Sequence, residues 1–205
     1  MEKAIRLCMF DMGGVVVKHS DSSLERQLLR DFGITDHDNF ISLDPRLPSL
    51  LAEHSKAAID EDEMWRQFTQ MTGISVPPHN DSLWGRHFKA ELEEPVVEII
   101  EELKKKGYRV VCATNTEDAH FKQHQASGQY DIFDAVYASL QLGEVKPEPA
   151  FFAKILALEQ VRPEEVIFVD DLSENCEAAA ALGINAVVYA DPVELRWQLV
   201  SMDLL

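Results

Sequence analysis

Apolar and polar positions change rhythm twice along this chain. The first rhythm is a short apolar run from Ile5 to Phe10, which ends in Asp11-Met12-Gly13-Gly14 and resumes as Val15-Val16-Val17. It predicts a strand, a glycine-rich turn and a second short extended piece. From about Ser20 to Lys89 the spacing becomes helical, as in Leu24, Leu28 and Leu29, and again in Met64, Trp65, Phe68 and Met71. Breakers at Gly33, Pro45, Pro48 and Pro77-Pro78 cut this stretch into about four helices with no strand among them. Beyond Pro95 the rhythm changes again. Val96, Ile99, Ile100 and Leu103 give one apolar face, with Glu101–Lys105 and Glu102–Lys106 spaced to pair and Gly107 at the stop. Apolar runs at Arg109–Ala113, Ala135–Ala138, Val166–Val169 and Ala186–Tyr189 then alternate with helical spacing, including helices starting near Pro149 and spanning about Glu174–Leu182.

Strands alternating with helices imply right-handed βαβ units, a parallel sheet and helices on both faces. The expected fold is therefore α/β, a three-layer Rossmann-like core with a small all-helical cap inserted after the first strand. The core is expected to comprise residues 1–18 and 92–205, and the cap 19–91.

Composition narrows the function. The 205 residues include 36 Asp+Glu against 19 Lys+Arg, a formal net charge of −17. Nucleic acid and anionic membrane both need a basic footprint, so neither is an expected partner. No run approaches the ~20 apolar residues of a membrane span. Met1-Glu2-Lys3 leads straight into a strand, and the three scattered cysteines form no CxxC pair. These features predict a cytoplasmic protein with reduced, buried cysteines. An anionic substrate would meet an unfavourable average field, so its site must supply local positive charge.

Open parallel sheets bind ligands at the carboxyl ends of their strands. Asp11 stands there after the first strand, Thr114-Asn115-Thr116 after the second, and Asp170-Asp171 after the fourth, with Gly143-Glu144-Val145-Lys146-Pro147 before it. A carboxylate can attack phosphorus and divide one hard displacement into two easier ones. Mg²⁺ takes oxygen ligands, which Asp11, Asp171 and the carbonyl of Gly13 can supply. Lys146 can balance the carboxylates and a phosphate oxygen. Thr114 can donate its hydroxyl to the phosphate, helped by N–H groups at the start of the next helix.

The ordered set Phe10-Asp11-Met12-Gly13-Gly14-Val15, Ala113-Thr114-Asn115-Thr116, Val145-Lys146-Pro147 and Phe168-Val169-Asp170-Asp171 with Asn175 resembles the haloacid dehalogenase-like (HAD) phosphatase superfamily. Within it the chain looks most like the branch of sugar-1-phosphate phosphatases and the phosphatase domain of soluble epoxide hydrolase, whose C1 cap occupies the place of the helical insert. The resemblance implies Asp11 as nucleophile and metal ligand, Thr114 and Asn115 as phosphate binders and Lys146 as charge balancer. It also implies Asp171 as metal ligand, supported by Asp170 and Asn175. The substrate would be a small-molecule phosphate ester. One departure stands out: Gly13 occupies the position where the family's phosphatases carry a second aspartate for proton transfer. A water or a cap residue could serve instead, with His19 as one candidate.

Other readings attach to the same residues. Gly13 supports a phospholigand-binding module of weak or no activity. Asp11 could also attack carbon in a 2-haloacid dehalogenase, against which the Asp170-Asp171 pair counts. His120 and His124, at i,i+4, lack further zinc ligands and read as a solvated helix face. Trp65 and Trp84 read as core of the helical lobe.

Overall fold

A computed structural model of the chain describes residues 5–18 and 24–205. Strand β1 (Leu7–Phe10) is buried at every position. The glycine-rich turn behind it takes in Val15 and Val16 as well, so the second extended piece is shorter than expected: only Val17–Lys18 forms β2. Val16 and Val17 donate their N–H groups back to the Met12 carbonyl at 3.0 and 2.8 Å, which curls the segment. Gly14, at φ +79°, supplies the left-handed residue that this turn requires.

Five helices follow: α1 (Leu24–Asp31), α2 (Phe40–Leu43), α3 (Leu47–Ser55), α4 (Glu61–Thr72) and α5 (Leu83–Arg86). Asp60 caps α4 by accepting from Glu63 N, and Gly73 ends it in the left-handed conformation. These helices carry their own core. Phe40, Trp65, Phe68 and Trp84 meet edge to face or stacked, with ring centroids 5.5–6.2 Å apart. Each such contact is worth about 0.5–1.5 kcal/mol beyond burial. Strand β3 (Glu91–Leu92) then returns antiparallel to β2, so the helical segment leaves and re-enters side by side.

The remainder is α6 (Glu94–Lys105), β4 (Arg109–Thr114), α7 (Asp118–Ala126), β5 (Ala135–Ala138), α8 (Ser139–Leu142), α9 (Pro149–Glu159), β6 (Val166–Asp170), α10 (Ser173–Ala181), β7 (Asn185–Val188) and α11 (Pro192–Ser201). The sheet is parallel throughout, in the order β5-β4-β1-β6-β7. Period-two alternation sorts β1 between two cores: Cys8 and Phe10 pack toward α6 and α11, Leu7 and Met9 toward α9 and α10. The result is the expected three-layer Rossmann-like α/β fold with a helical insert after the first strand. Among the described residues no helix is long and apolar enough to cross a membrane.

Candidate active site

The strand order places β1 between β4 and β6, with Phe10 level with Cys112 and Val169. The next residues therefore emerge together at the carboxyl edge: Asp11 from β1, Thr114 from β4 and Asp170 from β6. Lys146, from the loop before α9, reaches into the same point. Its Nζ lies 2.8 Å from Asp11 Oδ1 and 2.7 Å from Asp170 Oδ2, and 5.5 Å from the Phe168 ring centroid. The lysine is buried. Its two carboxylates raise its pKa against the opposing effect of burial, the largest single influence.

Asp11 is pinned on one oxygen. Oδ1 accepts from Met12 N at 2.7 Å as well as from Lys146, and Oδ2 has no hydrogen-bond partner among the described residues. Burial pushes the Asp11 pKa up to about 6, Lys146 pulls it down, and the Asp170 charge adds to the rise. The oxygens of Asp170 are committed: Oδ2 takes Lys146, and Oδ1 takes Leu172 N and Asn175 Nδ2, both at 2.9 Å. Asp171 is half-buried beside them. Asp11, Asp170 and Asp171 each offer an oxygen within 4.8 Å of the others. An all-oxygen, anionic set of this kind fits a hard divalent cation.

Asn115 lines the site and also holds the lysine's backbone: its Nδ2 donates to the Lys146 carbonyl at 2.9 Å and its Oδ1 accepts from Lys146 N at 2.8 Å. At the start of α7 the buried Glu117 carboxylate accepts from Ala119 N and His120 N at 2.7 and 2.9 Å, so these two N–H groups are already capped. A carboxylate just before Asp118 is a readable helix-start signal. Thr114 is buried beside the site, with its hydroxyl 3.4 Å from the Asn115 carbonyl. Gly13 lines the site and bridges to Val17. His19 lies outside the described residues.

From this centre a cavity of about 530 Å³ opens toward the helical insert. Met12, Gly13, Thr114 and Asn115 line the end near Asp11, and Trp84, Phe88, His120 and His124 line it elsewhere. Here the solvated-face reading of α7 fails. His124 is buried, while His120 stacks on Phe88 with centroids 3.7 Å apart and faces the Trp84 carbonyl at 3.0 Å through Nε2. The tryptophans behave as expected, stacked 5.6 Å apart within the insert's core, although Trp84 also reaches the cavity.

A parallel sheet whose carboxyl edge holds three carboxylates balanced by a buried lysine defines a Rossmann-like α/β protein with a cation-and-anion centre. The haloacid dehalogenase-like hydrolase family matches residues 5–183, and the chain belongs to that family. It is 26% identical over 202 residues to D-ribitol-5-phosphate phosphatase of Bacteroides thetaiotaomicron, covering 95% of this chain and 97% of that protein. Identity to bifunctional epoxide hydrolase 2 of Rattus norvegicus is 26% over 209 residues, 92% of this chain but 37% of that protein. The chain thus spans little more than a third of that relative. A solved HAD family enzyme from Bacteroides thetaiotaomicron, in complex with magnesium and inorganic phosphate, shares the fold at a TM-score of 0.71 and 23% identity, over 93% of this chain and 98% of that one.

Proposed function

We propose that the chain is a Mg²⁺-dependent phosphatase that hydrolyses a small phosphate ester through a phosphorylated Asp11. The observation that carries this reading is the buried Asp11–Lys146–Asp170 array, with Asp171 close enough to complete an oxygen site. The Asp170 oxygens already take three donors, so we assign Asp11 and Asp171, whose oxygens lie within 4.8 Å of one another, to the cation, with the Gly13 carbonyl as the backbone candidate. Bound there, Mg²⁺ would supply positive charge against the phosphoryl oxygens. The phosphatase relatives and the magnesium-and-phosphate neighbour support the assignment.

The chemistry then follows from the chain's own residues. A carboxylate oxygen of Asp11 attacks phosphorus, the ester P–O bond breaks, and the departing alkoxide takes a proton. Lys146 offsets the charge that builds on the phosphoryl oxygens, and Thr114 offers a hydroxyl to them. Water next attacks the phosphorus of the acyl phosphate, the P–O bond to Asp11 breaks, and inorganic phosphate leaves. Gly13 has no side chain to move either proton, so a water or a cap residue must carry them. Loss of a positioned acid–base group typically costs about 10²–10⁴-fold in rate, which favours esters with good leaving groups. We assign helices α1–α5, within residues 19–91, the role of a cap that closes over the core of residues 1–18 and 92–205 and excludes water.

The test is phosphate release from p-nitrophenyl phosphate, acetyl phosphate and sugar phosphates, with Mg²⁺ and with EDTA. Release that needs Mg²⁺ and disappears in Asp11→Asn is expected. Tight phosphate-ester binding by folded protein without release would favour the binding module that Gly13 suggests. Halide release from 2-haloacids in EDTA would favour the dehalogenase.

A further inference from the structure

One polar atom of the cavity wall has its state dictated by neighbours yet has no partner itself. His124 lies in the last turn of α7, 6% exposed. Its Nδ1 is 2.6 Å from Gln129 Oε1, and Gln129 Nε2 donates to the Ala90 carbonyl at 2.8 Å. A carbonyl can only accept, so the amide's NH₂ faces Ala90 and its oxygen faces His124. Nδ1 therefore carries the proton, and Nε2 is a bare acceptor. Burial holds the His124 pKa below the ordinary histidine value, which keeps this neutral form near pH 7. The ring cannot easily turn. Phe88 meets it edge-on at 5.0 Å and Tyr130 lies at 5.2 Å, while Phe88 itself is stacked on His120. Among the described residues nothing donates to Nε2, and the ring lines the cavity.

We propose that His124 Nε2 determines specificity by accepting a hydrogen bond from a hydroxyl or amine on the alcohol part of the phosphate ester. The inference rests on the phosphatase reading above and names a feature of its substrate. With the cavity empty, water can satisfy Nε2. A wholly apolar leaving group displaces that water and strands a buried acceptor, whereas a hydroxylated one replaces the lost bond. A second anionic group would bring lone pairs against a lone pair and is disfavoured. Sites built to bond a substrate hydroxyl reject analogues lacking it far better than apolar pockets reject a size change.

The experiment compares n-alkyl phosphates with ω-hydroxyalkyl phosphates of graded chain length. At some length the wild type is expected to prefer the hydroxylated ester by about tenfold or more in kcat/KM, carried by KM, the effect of roughly one hydrogen bond. In His124→Phe this ratio should fall to near one. Gln129→Leu, which removes the acceptor that fixes the tautomer, should lower it too and serves if the first variant does not fold. A wild type without the preference at any length, or a preference that survives both substitutions, overturns the assignment. If the wild type releases phosphate from none of these esters, the phosphatase reading falls by itself, and long-range ¹H–¹⁵N NMR with alkyl and ω-hydroxyalkyl phosphonates decides about His124. The expected signature is a protonated Nδ1 and a bare Nε2 whose resonance moves only with the hydroxylated ligands. A protonated Nε2, or one unmoved by every hydroxylated phosphonate, overturns the proposal.

Discussion

The two ends of the cavity are made from opposite materials. Around Asp11 the polar atoms are charged and held by one another: Lys146, with a side chain only 1% exposed, sits between carboxylates from β1 and β6. Around His124 the wall is mainly aromatic, its hydrogen bonds run to backbone carbonyls, a side-chain amide and one carboxylate, Glu117, 3.0 Å from His120 Nδ1, and its residues come from α5, the loop after it, α7 and the turn that follows. A buried charged array tolerates little loss of its cation, because deleting Lys146 leaves two carboxylates uncompensated in a poor solvent. A wall made mostly of aromatic rings, with a single carboxylate–histidine pair, depends less on any one charge and can lose a group and still hold its shape. The first end is therefore suited to invariant chemistry and the second to the choice of substrate.

The largest expected effect tests that division directly. Asp11→Asn should lower turnover by at least about 10⁴-fold, as removal of a nucleophile does. Stability of the metal-free protein at neutral pH should hold or rise, because burial already disfavours the Asp11 charge. Circular dichroism and urea melts beside the phosphate assay read both. Appreciable turnover in this variant would erase the distinction between the two ends.

Lys146→Met comes next. It strands Asp11 and Asp170 together, and breaking a buried charge pair costs about 3–5 kcal/mol. Urea unfolding should show most of that loss in EDTA and recover part of it with Mg²⁺, whose charge replaces the ammonium. A variant as stable as wild type in EDTA would mean that the array is not a mutually dependent unit.

The pH response is a smaller effect of the same burial. With the Asp11 pKa at about 6, against an ordinary 3.8, the carboxyl is protonated and non-nucleophilic below pH 6. With Mg²⁺ competing for the same carboxylate, the rate should fall on the acid side at a pH below this metal-free titration. The sign for stability is opposite. Because the folded state binds this proton more tightly, the contribution is full at low pH and is lost as pH rises from about 4 through 6. Carboxyl NMR of the metal-free protein should show Asp11 titrating near 6, and adding Mg²⁺ should move it lower.

What the sequence revealed divides along similar lines. Strand positions were legible because alternation within β1 and the apolar runs of β4 and β6 reflect burial in a parallel sheet. Asp11, Thr114, Asp170 and Asp171 could be gathered because topology sends strand ends to one edge, and Lys146, on the loop before α9, through the ordered set of motifs. The other end of the cavity was not legible. His120, Gln123 and His124 give α7 a polar face that reads as solvated, yet their partners Trp84, Gly85 and Gln129 cover it. Polarity signals exposure only while the partner is water. The hydrogen bonds of Asn115 were hidden for a related reason, since its side chain is claimed by a backbone 31 residues away. Helix α11 was missed despite Asp191-Pro192, a readable cap followed by a first-turn proline.

The smallest effect tests whether the two ends are mechanically joined. Lys56, at the end of α3, reaches Glu148, two residues beyond Lys146, at 2.8 Å, with side chains 18% and 42% exposed. The Glu148 carboxylate raises the Lys56 pKa, but solvent at the glutamate screens the pair. A double-mutant cycle with Lys56→Met and Glu148→Gln should give a coupling of only about 0.2–1 kcal/mol, shrinking further in high salt. Such a value fits a helical insert that can part from the core without disturbing Lys146. A coupling above about 2 kcal/mol, unaffected by salt, would instead make the insert a rigid extension of the charged array, and the two ends of the cavity could not then vary independently.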